Sequence, residues 1–105
     1  MIDTKIAKEQ IQKQITENKI VLYMKGTKAA PMCGFSAQVV QILGEFKADY
    51  LDKNILEDEA LRQAIKEFSD WPTIPQLYVN GEFIAGCDII TELYQSDELK
   101  NILSA

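Results

Sequence analysis

The chain has 105 residues, 47% of them hydrophobic and 26% charged, with a formal net charge of −5. That length suits one domain, residues 1–105, able to bury a core without staples, and the acidic balance argues against nucleic acid or an anionic membrane as a partner. Two cysteines and no histidine leave no disulfide scaffold, no Cys-His catalysis and no zinc site built on imidazole. With no apolar run of membrane-spanning length and no signal-peptide pattern, the chain is expected to be soluble, unexported and cytoplasmic, in a reducing compartment.

In chain order, Ile6, Ile11 and Ile15 predict one apolar face of an N-terminal helix that starts after Asp3 or Thr4 and ends near Asn18. Ile20-Val21-Leu22-Tyr23-Met24 is a nearly all-apolar run, the pattern of a strand covered on both faces. Residues 25–32, with Gly26 and Pro31, form a loop. Val39, Val40, Ile42, Leu43 and Phe46 show helical spacing over 34–46, with Gly44 near the end. A second strand is expected over 48–51, and Leu61, Ala64, Ile65 and Phe68 mark a third helix. Residues 73–85 predict a hairpin, because Asn80-Gly81 between two apolar runs is a strong turn signal. Asp88 is expected to cap a last helix that carries Ile89, Ile90, Leu93 and Tyr94. The order is α-β-α-β-α-β-β-α. Strands separated by helices pair in parallel and a hairpin pairs antiparallel, which predicts a small mixed four-stranded sheet flanked by helices.

Three places carry chemistry. Cys33 sits where a helix opens after a strand, in Met32-Cys33-Gly34-Phe35-Ser36. Ser36 stands where a dithiol oxidoreductase has its second cysteine, so no local disulfide forms. Free N–H groups and the helix dipole favour a thiolate there, lowering a cysteine pKa from about 8.5 into roughly 3.5–7.5. Lys25 is placed to add positive charge. The alternatives are an inert buried Cys33 and a solvated Lys25. In Thr73-Ile74-Pro75-Gln76, Pro75 begins a strand, and the residues alone favour an ordinary trans peptide after a Trp71-Pro72 turn. Gly86-Cys87-Asp88 joins a strand to a helix N-terminus. It reads either as a plain cap or as a set of N–H donors for a carboxylate. Arg62 on the third helix, taken alone, reads as a surface arginine.

Together, Met24-Lys25-Gly26, Cys33-Gly34-Phe35-Ser36, Trp71-Pro72-Thr73-Ile74-Pro75-Gln76 and Gly86-Cys87-Asp88 resemble the monothiol glutaredoxins of the CGFS type in their single-domain form. The resemblance covers nearly the whole chain. It implies an α/β, thioredoxin-like fold and a cis peptide before Pro75. It implies that glutathione lies across a site to which Lys25, Phe35, Arg62, Thr73, Ile74, Pro75, Gly86, Cys87 and Asp88 contribute. Lys25 and Arg62 would hold the glycine carboxylate. The Ile74 backbone would pair with the cysteine of glutathione, Cys87 and Asp88 would hold the γ-glutamyl end, and Phe35 would shape the pocket.

The resemblance further implies a [2Fe–2S] cluster ligated by Cys33. Such a cluster usually takes four thiolates, more than one chain with a single well-placed cysteine provides. Cys33 from each of two chains and two glutathione thiolates complete the set, on the axis of a homodimer. The apo chain is then expected to be a monomer. The leading reading is a cluster scaffold or carrier for apo iron–sulfur recipient proteins. Its rival is a glutathione-dependent thiol–disulfide oxidoreductase acting through Cys33, with glutathione or Cys87 resolving the mixed disulfide. A third reading is a regulatory module paired with a BolA-like protein.

Overall fold

The computed structural model describes residues 3–105. Helix α1 spans Lys5–Glu17, strand β1 Ile20–Met24, helix α2 Gly34–Glu45, strand β2 Leu51–Asn54 and helix α3 Glu59–Ser69. Strands β3 (Gln76–Val79) and β4 (Glu82–Ala85) follow, then helices α4 (Cys87–Gln95) and α5 (Glu98–Ser104). The strands form one mixed sheet in the order β2-β1-β3-β4. β1 runs parallel to β2, with Val21 opposite Leu51, and antiparallel to β3, with Val21 opposite Tyr78. A parallel neighbour requires a crossover, and the loop after β1 together with α2 provides it.

β1 shows why its sequence is apolar throughout. All five of its residues are buried, and they alternate between two cores. Ile20, Leu22 and Met24 join Val39, Leu43, Leu77, Ile90 and Leu99 on the face covered by α2, α4 and α5. Val21 and Tyr23 join Ile11, Ile15, Leu61, Ile65 and Tyr78 on the face covered by α1 and α3. The Tyr23 and Tyr78 rings meet edge to face, with centroids 5.6 Å apart, a geometry worth about 0.5–1.5 kcal/mol beyond burial alone. The hairpin turn is tight. Asn80 and Gly81 both have positive φ, 53° and 80°, as a two-residue turn matched to strand twist requires.

Four local expectations are corrected. Ile6 is 66% exposed, and the buried face of α1 is Ala7, Ile11 and Ile15. Those three repeat every fourth residue, whereas Ile6 lies about 140° around the helix from Ile11. The second strand begins at Leu51 rather than residue 48, because backbone pairing with β1, and not apolar content, sets its register. Gly86, not Asp88, is the N-cap of α4; Asp88 lies in the first turn and makes no cap hydrogen bond. A fifth helix follows a left-handed Asp97 and buries Leu99 and Leu103.

Candidate functional site

The loop between β1 and α2 is pinned along its length. Gly26 has φ of 87°, and a Cβ there would fall 2.5 Å from the Ala30 carbonyl and 2.6 Å from the Met32 nitrogen. Only glycine fits such a position without displacement. The Gly26 N–H donates to Asn54 Oδ1 (2.9 Å) and the Lys28 N–H to Asp52 Oδ2 (2.9 Å). Alternate residues of the edge strand β2 thereby hold the loop that delivers Cys33.

Cys33 is the N-cap of α2, and its sulfur accepts from the Ser36 N–H at 3.3 Å. Ser36 is fully buried. Its Oγ accepts from the Lys25 N–H at 3.1 Å and lies 3.4 Å from Cys33 Sγ. The hydroxyl accepts from the Cys33 thiol and, once that thiol ionises, has its own proton to donate to the thiolate. Partial burial pushes the Cys33 thiol up. The Ser36 hydroxyl, the Ser36 and Phe35 N–H groups and the Lys25 charge outweigh it and hold the thiol below the ordinary cysteine value. Cys87 is the opposite case. Burial, with smaller contributions from the Asp88 and Cys33 charges, pushes its thiol up against the lowering effect of a hydrogen bond to Thr91. Both thiols are free.

Beside Cys33 lies a cleft of about 340 Å³. Lys25, Phe35, Arg62, Thr73, Ile74, Pro75, Gly86, Cys87 and Asp88 all line it, so the structure brings together nine residues expected at the site. Cys33 does not line the cleft but stands next to it, within electrostatic reach of Lys25 and Cys87. The Ile74–Pro75 peptide is cis, as the resemblance implied and the local sequence did not. The N–H groups of Cys87, Asp88 and Ile89 open α4 at the cleft wall, before the first helical bond from Ile90 to Gly86. Gly86 is buried under Trp71, whose indole nitrogen would lie 3.2 Å from a Cβ at residue 86.

Further lining residues come from sequence positions given no role, among them Lys66, Trp71 and Pro72. Lys66 follows Arg62 by four residues, which puts it on the same helical face. The cleft therefore gathers three cations, Lys25, Arg62 and Lys66, against one carboxylate, Asp88. The only side-chain ion pair among the described residues is elsewhere, Lys8 to Glu67 at 2.7 Å. In a chain of net charge −5, this cleft is suited to an anionic ligand. No group of three or more His, Cys, Asp or Glu residues gathers among the described residues.

A family model described as Glutaredoxin matches residues 20–84. The chain belongs to the glutaredoxin family. It is 56% identical over 93 residues to a probable monothiol glutaredoxin 2 of Rickettsia typhi, covering 89% of this chain and 84% of that protein. It is 53% identical over 93 residues to the chloroplastic monothiol glutaredoxin-S14 of Arabidopsis thaliana, covering 89% of this chain and 54% of that one. The solution structure of reduced apo GrxS14 from poplar matches with a TM-score of 0.82 at 54% identity, over 92% of this chain and 89% of that chain. The Rickettsia and Arabidopsis relatives carry the monothiol name, and Ser36 in place of a second nearby cysteine agrees with it. No helix among the described residues is long and apolar enough to cross a membrane.

Proposed function

We propose that this monothiol glutaredoxin binds glutathione in the cleft and acts as a cytoplasmic scaffold or carrier of a [2Fe–2S] cluster shared by two copies of the chain. One observation carries the reading. The chain has a single thiol biased toward thiolate, beside a cationic cleft, with no further metal-donor set among the described residues. A cluster that takes four thiolates fits this donor chemistry only if three come from outside. Cys33 of a second copy and the thiols of two bound glutathiones supply them.

The cleft suits glutathione, which carries two carboxylates and one ammonium. Lys25 and Arg62 hold the glycine carboxylate as partly exposed ion pairs, with Lys66 adjacent. The Ile74 backbone pairs with the cysteine residue of glutathione. The Cys87 and Asp88 N–H groups receive the γ-glutamyl carboxylate, and the Asp88 side chain faces its ammonium. Phe35 and Thr73 close the sides. Ligands that are half small molecule exchange more readily than a full protein cage, which suits delivery to apo recipient proteins. The apo chain is a monomer, and a BolA-like protein is an alternative partner to the second copy.

The lowered Cys33 thiol favours a second reading, an oxidoreductase. The thiolate attacks the glutathione sulfur of a protein–glutathione disulfide, that S–S bond breaks, and the protein leaves as thiolate. A second glutathione thiolate then attacks the new mixed disulfide, releasing glutathione disulfide and restoring Cys33. We rank it second because no histidine and no local second cysteine assist the turnover.

Anaerobic reconstitution with iron, sulfide and glutathione tests the ranking. Cys33→Ser is expected to abolish the visible absorbance of the cluster and Cys87→Ser to leave it largely intact. Equal loss in both variants would overturn the ligand assignment.

A further inference from the structure

Gln76 is a polar side chain with no exposed surface, placed at the start of β3 directly after Pro75. Its amide has a partner at every face it offers to the loop. Nε2 donates to the Trp71 carbonyl at 3.0 Å and to the Thr73 carbonyl at 3.2 Å. Oε1 accepts from the Tyr78 hydroxyl at 3.2 Å. The two carbonyls fix which end of the amide faces the loop, because a flipped amide would set its oxygen against them, and the Tyr78 hydroxyl then donates to the oxygen left behind. Trp71 is also held from its other side, its N–H donating to Ser69 Oγ (3.1 Å) and to the Lys66 carbonyl (3.2 Å). No regular secondary structure supports the segment from 70 to 75. Nonetheless Trp71, Thr73 and Ile74 form one wall of the cleft, and this wall packs against Gly86, where a Cβ would lie 3.2 Å from the Trp71 indole nitrogen and 3.9 Å from Thr73 Oγ1.

We infer that Gln76, with Tyr78 behind it, is the positioning residue that holds the 71–74 wall packed against Gly86, in the arrangement that a glutathione-class ligand needs. The inference rests on the glutathione reading above, but it has a ligand-free readout as well. Trp71 is the only tryptophan of the chain, so its emission reports the wall directly. Loss of both Gln76 bonds leaves the Trp71 carbonyl with only Ser69 Oγ at 3.5 Å and takes the donor from the Thr73 carbonyl, and the part-buried loop is free to swing toward water to recover partners.

The test uses Gln76→Glu and Tyr78→Phe, each checked for folding by circular dichroism. Glutamate keeps the shape of glutamine but, ionised, donates nothing and faces two carbonyls. In the free protein its Trp71 emission is expected to shift and iodide quenching to rise. Glutathione affinity at neutral pH is expected to fall about tenfold, the equivalent of two positioning bonds. Acidification restores a donor to the glutamate, so affinity and emission in this variant are expected to recover toward wild type, while the wild type changes little over the same range. A merely structural role predicts no such recovery. Tyr78→Phe removes the donor to Gln76 Oε1 and so loosens the side chain, and is expected to lower affinity a few-fold with the same direction of emission shift. If Gln76→Glu does not fold, Tyr78→Phe decides. Wild-type emission and affinity in a folded Gln76→Glu, or in Tyr78→Phe in that case, overturn the inference. Wild-type protein that binds no glutathione sinks the functional reading instead, and the emission data still judge the wall.

Discussion

Ser36 accepts the Lys25 N–H at 3.1 Å and lies 3.4 Å from Cys33 Sγ, so the side chain in place of a second thiol tunes the first. Read from sequence, Ser36 signified only a missing cysteine, since its burial and its proton were invisible there. The pH consequence has a definite sign. A depressed thiol pKa in the folded chain means that Cys33 stays ionised below the ordinary cysteine range and protonates only as pH falls through the depressed value. Alkylation of Cys33 by iodoacetamide should therefore reach half its maximal rate at a lower pH than the point at which an unperturbed cysteine in a model peptide, measured alongside, does so. Alkylation of Cys87, whose thiol burial pushes up, should reach it above that point. Ser36→Ala removes the hydroxyl donor and should move the Cys33 midpoint upward, toward the ordinary value. An unchanged midpoint would show that the Ser36 and Phe35 N–H groups and Lys25 suffice.

Among the elements, the β1–α2 loop carries the sharpest steric demand. Gly26→Ala places a Cβ 2.5 Å from a carbonyl at φ of 87°. The left-handed backbone alone costs about 1–2 kcal/mol for an L-residue, and the clash adds to it. Thermal unfolding should show a lower midpoint by roughly 4–8 °C for each kcal/mol lost; an unchanged midpoint would mean the loop relaxes freely. Most elements are legible in the sequence because their signals are local. The apolar run of β1 answers to two cores, Asn80-Gly81 to a turn with two positive φ values. The elements misread are those fixed by distant partners. Leu51–Asn54 is a half-exposed edge strand whose polar residues give no strand pattern and instead hold the Cys33 loop. α5 is seven residues long, too short for a helical period to stand out. Asp88 resembles a cap, but the cap falls two residues earlier, at the buried Gly86. Lys25 was legible from its place after the first strand as a charge near Cys33, Arg62 only through family resemblance, and Lys66 needed the helical face.

At the scale of the whole molecule, an acidic chain of net charge −5 collects Lys25, Arg62 and Lys66 in one cleft. Each is partly exposed, so each ion pair to a ligand carboxylate is worth about 0.2–1 kcal/mol. Lys25→Ala and Arg62→Ala should each weaken glutathione binding modestly, and the double variant more than either, read by Trp71 fluorescence. A double variant that binds as the wild type does would move the carboxylate site elsewhere. The proposed assembly is a matter of stoichiometry: one Cys33 per chain leaves two chains two thiolates short of four. The most direct measurement is anaerobic reconstitution of the apo chain with iron and sulfide, in matched samples with and without glutathione, followed by visible spectroscopy and size exclusion. With glutathione, a coloured dimer is expected; without any small thiol, neither stable colour nor a dimer. A stable coloured dimer formed in the absence of glutathione and every other small thiol would contradict its role as an obligatory ligand.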